Sequence, residues 1–451
     1  MLLADAISRY HDLLSQGSLA ADSQEWLERL TEKRGLYFGN RPVCTVLRPR
    51  FLTASQYHFL QQRVRILLSA FRKVFRRALV DRDFRTQFGL LDWEEELLQL
   101  PVAFDDPSPT ARLDSFFVSE VELKFTEFNT ETPAGAAYHD ILSDLFLTLP
   151  ILREFLRHYE VRPLPARPGV WHALLASWQQ AVGSTTSCPR IAILDWREVP
   201  TYSEFRLYED YFRSLGVECR IIDPRDVEFI NGKLWHGDFP IDLIYKRVLV
   251  SELYERGGMQ HPVFEALRHR AVYMVNDPRC KILYKKASLA VLSDESNASM
   301  WNDVERNAIR DHIPWTRRVE ERRTAWNGQT IDLVPYVIAH RDQFVLKPND
   351  EYGGKGIVLG WTVNQSEWET AVQRALSVPY IVQQRVTLPR EPFPSFHNGN
   401  LVVIERMLDT NPFVTFSEKV DGVLTRISTE ALLNVTAGGG STVPTFVIES
   451  R

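Results

Sequence analysis

The stretch FVLKPNDEYGGKGIVLGW, residues 344–361, constrains this chain more than any other. An apolar run ends on Lys347, an acidic-polar turn follows, and Gly353, Gly354 and Gly356 lead into a second apolar run. That pattern predicts two strands joined by a glycine loop. Glycines let backbone N–H groups approach phosphate oxygens without a Cβ in the way, and a lysine at the strand end adds a positive charge on the same oxygens. The segment matches neither GxxxxGK[ST] nor GxGxxG, which sets aside P-loop and dinucleotide readings. By itself the pattern also fits a plain tight β-turn.

A second segment, RLDSFFVSEVELKFTEFNTETPAG, lies far upstream and is rich in oxygen donors. Glu127 and Asn129 alternate along a strand-like run, so both side chains point to one face; Arg112 and Asp114 do the same if their segment is extended. Two carboxylates and an amide oxygen suit magnesium, a hard ion that shares its ligands with nucleotide phosphates. An arginine beside such an ion can offset charge developing on a transferred phosphoryl group. Read alone, the acids could be ordinary surface positions. Near the carboxyl end, Arg426 and Asn434 bracket a region whose glycines, Gly438, Gly439 and Gly440, suit either close backbone approach or a flexible loop.

The rest of the chain predicts a mixed α/β (α+β) protein. Its 451 residues and 44% hydrophobic content can build two or three domains with real cores. Residues 1–104 read as a mainly helical region. Val64, Leu67, Leu68, Phe71, Phe75 and Leu79 repeat at helical spacing between Gln56 and Arg85. The arginines and lysine of the same stretch read as a solvated face, with no aromatic stacking pattern to suggest nucleic acid. Residues 105–165 carry the oxygen donors. Residues 166–272 alternate strand and helix: RIAILDW and VECRIIDP flank a helix ending on Gly216, FINGKLW predicts an Asn-Gly hairpin, and IDLIYKRVLV another buried strand. This is the texture of a Rossmann-like parallel layer. Tyr202, Ser203 and Glu204 could touch a substrate there, and Ser203 could equally be a helix N-cap. Residues 273–451 form a further mixed unit holding the lysine and glycine loop, with YIVQQRV and LVVIERML as strands and the proline-rich LPREPFPSF as a loop between them.

A formal net charge of -5 gives no general pull toward nucleic acid or anionic membrane. Four scattered cysteines argue against a disulfide framework or a structural zinc site. The amino terminus reads as an amphipathic helix rather than a signal peptide, and no apolar run is long enough to span a bilayer, so a cytoplasmic setting is the expectation.

These segments together resemble the circularly permuted ATP-grasp superfamily, in particular the synthetase domain of glutathionylspermidine synthetase. KFTEFNTETPAG is similar to that family's E-[FY]-N-x-[DE]-T-P segment, and RLD lies upstream at the family's separation. The Glu-x-Asn motif precedes the lysine loop, the reverse of ordinary ATP-grasp enzymes and the mark of the permutation. The resemblance covers roughly residues 105 to 145 and 185 to 451. It does not include that enzyme's Cys/His amidase domain, and the stretch with Asn434 and the glycines looks more like other permuted ATP-grasp proteins.

The resemblance implies ATP and Mg²⁺ as cofactors, with Asp114, Glu127 and Asn129 as metal ligands and Arg112 as the catalytic arginine. It further implies Lys347 and one lysine of CKILYKKASLAVL on the ATP phosphates. Lys286 fits the family's Asn-Lys-Ala pattern best, with Lys285 in the Asn place. The backbone at Gln383 and Gln384 would bond the adenine edge, and Arg426 would be a second acyl-phosphate arginine. IDLIYKR is similar to a strand that ends in basic residues beside the substrate site. The implied activity is ATP-dependent joining of a small-molecule or peptide carboxylate to an amine through an acyl phosphate, with no nucleic-acid or membrane partner. A phosphotransferase on the same fold and a non-catalytic nucleotide-binding scaffold remain the rival readings.

Overall fold

The computed structural model describes residues 2–119, 121–184, 186–430 and 440–451. Asn434, Gly438 and Gly439 lie outside the described residues, so the triple-glycine reading has no structural counterpart here.

The expected helical start is present. Helices Leu2–Leu14, Leu19–Arg34 and Ala54–Val80 dominate the first hundred residues, with the short strand Arg50–Thr53 before the longest helix. The helical repeat read between Gln56 and Arg85 is the helix Ala54–Val80, with Arg82–Arg85 a separate short helix. The Thr53 side chain accepts from the Gln56 amide and the Gln56 side chain accepts from the Thr53 amide, a reciprocal capping box. Its apolar stripe buries Val64, Leu67, Leu68, Phe71 and Phe75, at about 1.5–3 kcal/mol for each large side chain removed from water. Part of its basic face forms ion pairs: Arg72 meets Glu418 at 2.6 Å and Lys73 meets Glu305 at 2.5 Å.

The predicted Rossmann-like layer is a four-stranded sheet in the order Tyr273–Val275, Leu243–Lys246, Ile191–Leu194, Cys219–Ile222, parallel throughout. Ile191–Leu194 and Leu243–Lys246 are buried along their whole length, as strands covered on both faces must be. The Asn-Gly hairpin is also present, Asn231 and Gly232 both having positive φ between Glu228–Ile230 and Lys233–His236. One reading fails locally: Thr201, not Ser203, occupies the N-cap of helix Tyr202–Ser214.

Two antiparallel sheets carry the remaining motifs. The smaller runs Thr316–Arg318, Tyr380–Gln384, Phe344–Pro348, Val358–Leu359, so the strands flanking the glycine loop do pair with each other. The larger runs Arg390–His397, Asn400–Leu408, Lys419–Ser428, Asn411–Thr415, Thr110–Phe117, Leu123–Asn129. Here the early oxygen-donor strands dock onto late ones, with Phe413 in register with Arg112. The proline-rich segment expected as a loop is instead the strand Arg390–His397. It lies at the sheet edge, where Pro392 and Pro394 cost no ladder bond. Their carbonyls accept from the Arg48 side chain and the Leu47 amide on the outer side.

A small three-stranded mixed sheet sets Thr445–Ser450 between Arg50–Thr53 and Tyr159–Pro163, tying the late strands to the early ones. The four cysteines are free thiols, three of them buried. Among the described residues no helix is long and apolar enough to cross a membrane.

Candidate active site

The oxygen donors sit on one face of an antiparallel pair. Arg112 is in register with Asn129 and Asp114 with Glu127, a two-by-two patch set by the pleat, and a bulge follows Asp114. Two carboxylates directly opposite each other repel unless cations intervene. Three do. Arg112 Nε donates to Asp114 Oδ1 at 2.7 Å and its Nη2 to Oδ2 at 3.0 Å. Arg426 Nη2 reaches the same Oδ2 at 2.7 Å, and its Nε donates to Asp409 Oδ2 at 2.6 Å. Lys286 Nζ lies 2.9 Å from Glu127 Oε1. Burial by itself would raise the Asp114 carboxyl, but Arg112 and then Arg426 outweigh it and bring it down to about 2. Burial raises the carboxyl of Asp409, with Arg426 opposing.

The lysines face this patch from the smaller antiparallel sheet and the helix beside it. Lys347 Nζ donates to Gln383 Oε1 at 2.7 Å and to the Thr126 carbonyl at 3.2 Å. Among the described residues no carboxylate lies within ion-pair distance of it. Burial therefore brings its ammonium down to about 8; Glu127 and Asp114 pull it up, and Lys286 pushes it further down. Lys286 also donates to the Glu351 carbonyl at 2.6 Å, at the root of the glycine loop. Lys285 turns the other way. It joins Lys281 in a buried cluster with Glu94 and Asp350, at 2.8 Å from Glu94 and 2.7 Å from Asp350. Those two lysines hold the Asp350 carboxyl well below the usual range despite its burial.

Gly353, Gly354 and Gly356 all have positive φ, between 66° and 76°, as a loop of this curvature requires. Gly356 has a second constraint: a Cβ there would sit 2.8 Å from Pro348 Cγ, and Tyr380 Oη donates to its carbonyl at 3.3 Å.

Two cavities meet at the patch. One, of about 170 Å³, is lined by Lys347, Gly353, Gly354, Gln383, Gln384 and Trp361 among others. The second, of about 280 Å³, is lined by Arg112, Asn129, Tyr138, Asp195, Arg247 and Tyr352 among others. Asp114, Glu127, Gly353 and Arg426 line both. Lys286 and Gly356 are not lining residues of either. Gln383 and Gln384 line the first cavity, but the Gln384 amide donates to the Trp315 carbonyl at 2.8 Å, so that donor is already used. The same cavity continues past them to Val386 and Leu388.

At the second cavity Arg247 ends the IDLIYKR strand that the resemblance set beside a substrate site, whereas Asp195 carried no sequence signal of its own. Asp195 and Arg247 follow adjacent parallel strands at their carboxyl ends, where open α/β sheets form ligand crevices; that rule, applied to RIAILD and LIYKR, would have found them. Glu204 does not face the cavity as a substrate contact. It is fully buried and accepts from the Gly135 and Ala137 amides at 2.8 and 3.1 Å, satisfying the amino-terminal donors of helix Ala136–Thr148.

Comparison with known families bears on the whole assembly. The profile of circularly permuted ATP-grasp type 2 matches residues 119–428. The chain belongs to that family. Arg112 and Asp114 precede the matched range, while Glu127, Asn129, Lys286, Lys347 and Arg426 fall within it. The permuted ATP-grasp chain also resembles a solved glutathione synthetase-like effector from Globodera pallida in its apo form, at 12% identity and TM-score 0.56, covering 96% of this chain and 98% of that one. That likeness is one of fold. A provisionally named gamma-glutamylcysteine synthetase from Methylobacillus flagellatus aligns at 12% identity and TM-score 0.43, over 88% of this chain and 89% of that one. No curated protein matches the sequence.

Proposed function

We propose that this permuted ATP-grasp chain is an ATP-dependent carboxylate–amine ligase working through an acyl phosphate. The observation that carries the reading is the shared wall. A cavity with a half-buried lysine that has no ion-pair partner among the described residues opens onto a larger one across Asp114, Glu127, Gly353 and Arg426. The smaller cavity suits a nucleotide, with phosphates toward Lys347 and the glycines and the base toward Gln384, Val386 and Trp361. A phosphate beside Lys347 supplies the counter-charge it lacks. Of the two candidate lysines, Lys285 is committed to Glu94 and Asp350 while Lys286 pairs with Glu127, a residue of both cavity walls, which supports Lys286 as the second phosphate lysine.

The donor set fits magnesium shared with nucleotide. Among the described residues no cluster of three or more acidic, histidine or cysteine side chains could hold a metal alone. Two carboxylates and an amide leave positions for phosphate oxygens, the arrangement magnesium prefers. Asp114, Glu127 and Asn129 would hold it, and when bound it neutralises charge on the phosphates.

The chain's own groups account for the remaining work. Arg112 and Arg426 converge on Asp114 from two strands, Arg112 lining the larger cavity and Arg426 both, placed to offset charge on the phosphoryl group as a substrate carboxylate attacks it. Glu127 competes with phosphate for Lys286, so nucleotide entry releases one for the other. Tyr352 and Gly353 sit on the loop between nucleotide and substrate spaces, where closure excludes water from a hydrolysable intermediate.

The test is ADP release from Mg-ATP with a panel of carboxylates, each with and without amines, followed by mass spectrometry of the product. Amide formation dependent on both partners supports the ligase. ADP release with a phosphorylated acceptor and no amide would replace it with a phosphotransferase, and nucleotide binding without turnover on any acceptor with a scaffold.

A further inference from the structure

The wall of the larger cavity built by the parallel sheet carries groups that phosphate chemistry does not use. Asp195 follows Ile191–Leu194 and Arg247 follows Leu243–Lys246, strands that pair in parallel register. Each is 6% exposed, and both line the cavity. Glu252 joins them from helix Val250–Gly257 and Tyr352 from the glycine loop.

Arg247 is fixed but not saturated. Its Nη1 donates to the Pro133 carbonyl at 2.6 Å and to Tyr245 Oη at 3.3 Å, and its Nη2 lies 3.5 Å from Glu204. Among the described residues its Nε is buried with no hydrogen-bond partner. A buried N–H left so costs about 1–3 kcal/mol, so the hydrogen-bonding capacity of the guanidinium is not used up by the protein. Asp195 Oδ1 accepts only the neighbouring Trp196 amide, at 2.8 Å. Among the described residues no side-chain donor is hydrogen-bonded to its carboxylate. An unused donor and an unused acid on adjacent strand ends match a ligand carrying an oxygen acceptor beside an ammonium group.

Resting on the ligase reading above, we propose that this wall is the acceptor subsite, taking an α-amino acid or a peptide amino terminus, with Asp195 receiving the amine's proton. The ammonium donates to Asp195 and Glu252, and the adjacent carboxylate or carbonyl oxygen accepts from the Arg247 guanidinium, which lines the same wall. Asp195 takes one proton and leaves a neutral amine. The nitrogen lone pair forms the C–N bond to the acyl carbon, and the C–O bond to phosphate breaks with its electron pair going to the leaving phosphate. The second proton lost from nitrogen departs with that phosphate, and Asp195 returns its own to solvent. The groups facing Asp195 set its basicity: Arg247 and Lys246 at the end of the neighbouring strand, Glu252 on the following helix, and Tyr352 across the cavity. Burial is the largest influence and holds its carboxyl up at about 7, close to the working pH of a proton acceptor.

The subsite is tested without turnover. Titration calorimetry compares L-alanine with isobutyrate, which carries a methyl in place of the ammonium, at pH 6 and pH 8. The wild-type protein should bind alanine in preference to isobutyrate, and more tightly at pH 8 as Asp195 ionises. Asp195→Asn should weaken alanine binding about tenfold and abolish its pH dependence, as loss of one charged hydrogen bond implies. Glu252→Gln provides a second variant should the first fold poorly, and it should weaken alanine binding while keeping the pH dependence. Equal binding of alanine and isobutyrate, no binding of either, or an unchanged pH dependence in Asp195→Asn would each overturn the subsite. A separate arm supplies hydroxylamine with Mg-ATP and a panel of amino acids as carboxylates. Hydroxylamine is already neutral at pH 7 and needs no proton acceptor, so Asp195→Asn should lower hydroxamate formation less than it lowers amide formation with an amino-acid acceptor. Hydroxamate lowered in the variant as much as amide refutes the assigned role; hydroxamate absent from wild type refutes the ligase reading while alanine binding still reports on the subsite.

Discussion

Replacing Lys347 with methionine should separate a phosphate-binding lysine from a structural one, because the two roles predict opposite signs for stability. Burial lowers the ammonium from an ordinary 10.5 to about 8. A factor of ten in protonation corresponds to about 1.4 kcal/mol, so the fall represents about 3 kcal/mol held against the charged form at pH 7. Partial contact with water reduces that to about 2 kcal/mol. Methionine removes the charge but leaves Gln383 Oε1 and the Thr126 carbonyl without their donor, a loss of about 1 kcal/mol. The net expectation is a variant about 1 kcal/mol more stable at pH 7 in the absence of nucleotide. The sign with pH follows from the lowered value. The cost of the charged lysine is fully present below about 8, declines as the folded protein loses the proton, and is gone by 10.5, where the unfolded chain has lost it too. The variant's advantage should therefore appear at pH 7 and vanish near pH 10. Nucleotide affinity should fall about ten- to a hundredfold, the value of one charge-assisted contact. Urea unfolding at the two pH values and calorimetry with Mg²⁺ and a non-hydrolysable ATP analogue read both quantities. A variant destabilised at pH 7 that binds nucleotide as before would refute the reasoning and make Lys347 a brace for Gln383.

Three further outcomes follow from the same geometry. Arg112→Ala should lower turnover about a hundredfold while changing Mg-ATP affinity little, measured as kcat against a directly determined Kd; equal loss of both would remove Arg112 from the catalytic role. Gly356→Ala should cost about 1–3 kcal/mol in unfolding free energy, because the residue has φ of 72° and its Cβ would meet Pro348 Cγ at 2.8 Å; unchanged stability would mean the loop relaxes around the methyl. Magnesium alone should produce no thermal shift and Mg-ATP a clear one, since Asp114 and Glu127 are already paired with Arg112, Arg426 and Lys286; a shift with magnesium alone would show a metal site complete without phosphate.

Much of the fold was legible because its signals are local. Alternation placed Arg112 with Asp114 and Glu127 with Asn129 on common faces, and the structure sets those faces in register. The helical repeat from Gln56 and the Asn-Gly hairpin were legible for the same reason, each being fixed by a few neighbouring dihedrals. The proline-rich segment misled because proline forbids an interior strand but not an edge one, and edge position depends on which strands pair elsewhere in the chain. Ser203 misled because several residues near a helix start can cap it, and the entry angle of the chain chooses among them.

By itself, then, the sequence determined which residues share a face and the order in which the phosphate and oxygen-donor motifs occur. Only the tertiary structure decided how those faces meet and in what charge state. Lys285 and Lys286 are neighbours in sequence, yet one is buried against Glu94 and Asp350 and the other turned to Glu127. Asp114 is held near 2 by two arginines, one more than three hundred residues away, and Asp195 is raised to about 7 by burial under elements that local pattern cannot assemble. The physical reason is range. Side-chain direction follows from the nearest backbone geometry, whereas desolvation and Coulomb interaction depend on whatever the folded chain brings within a few ångströms.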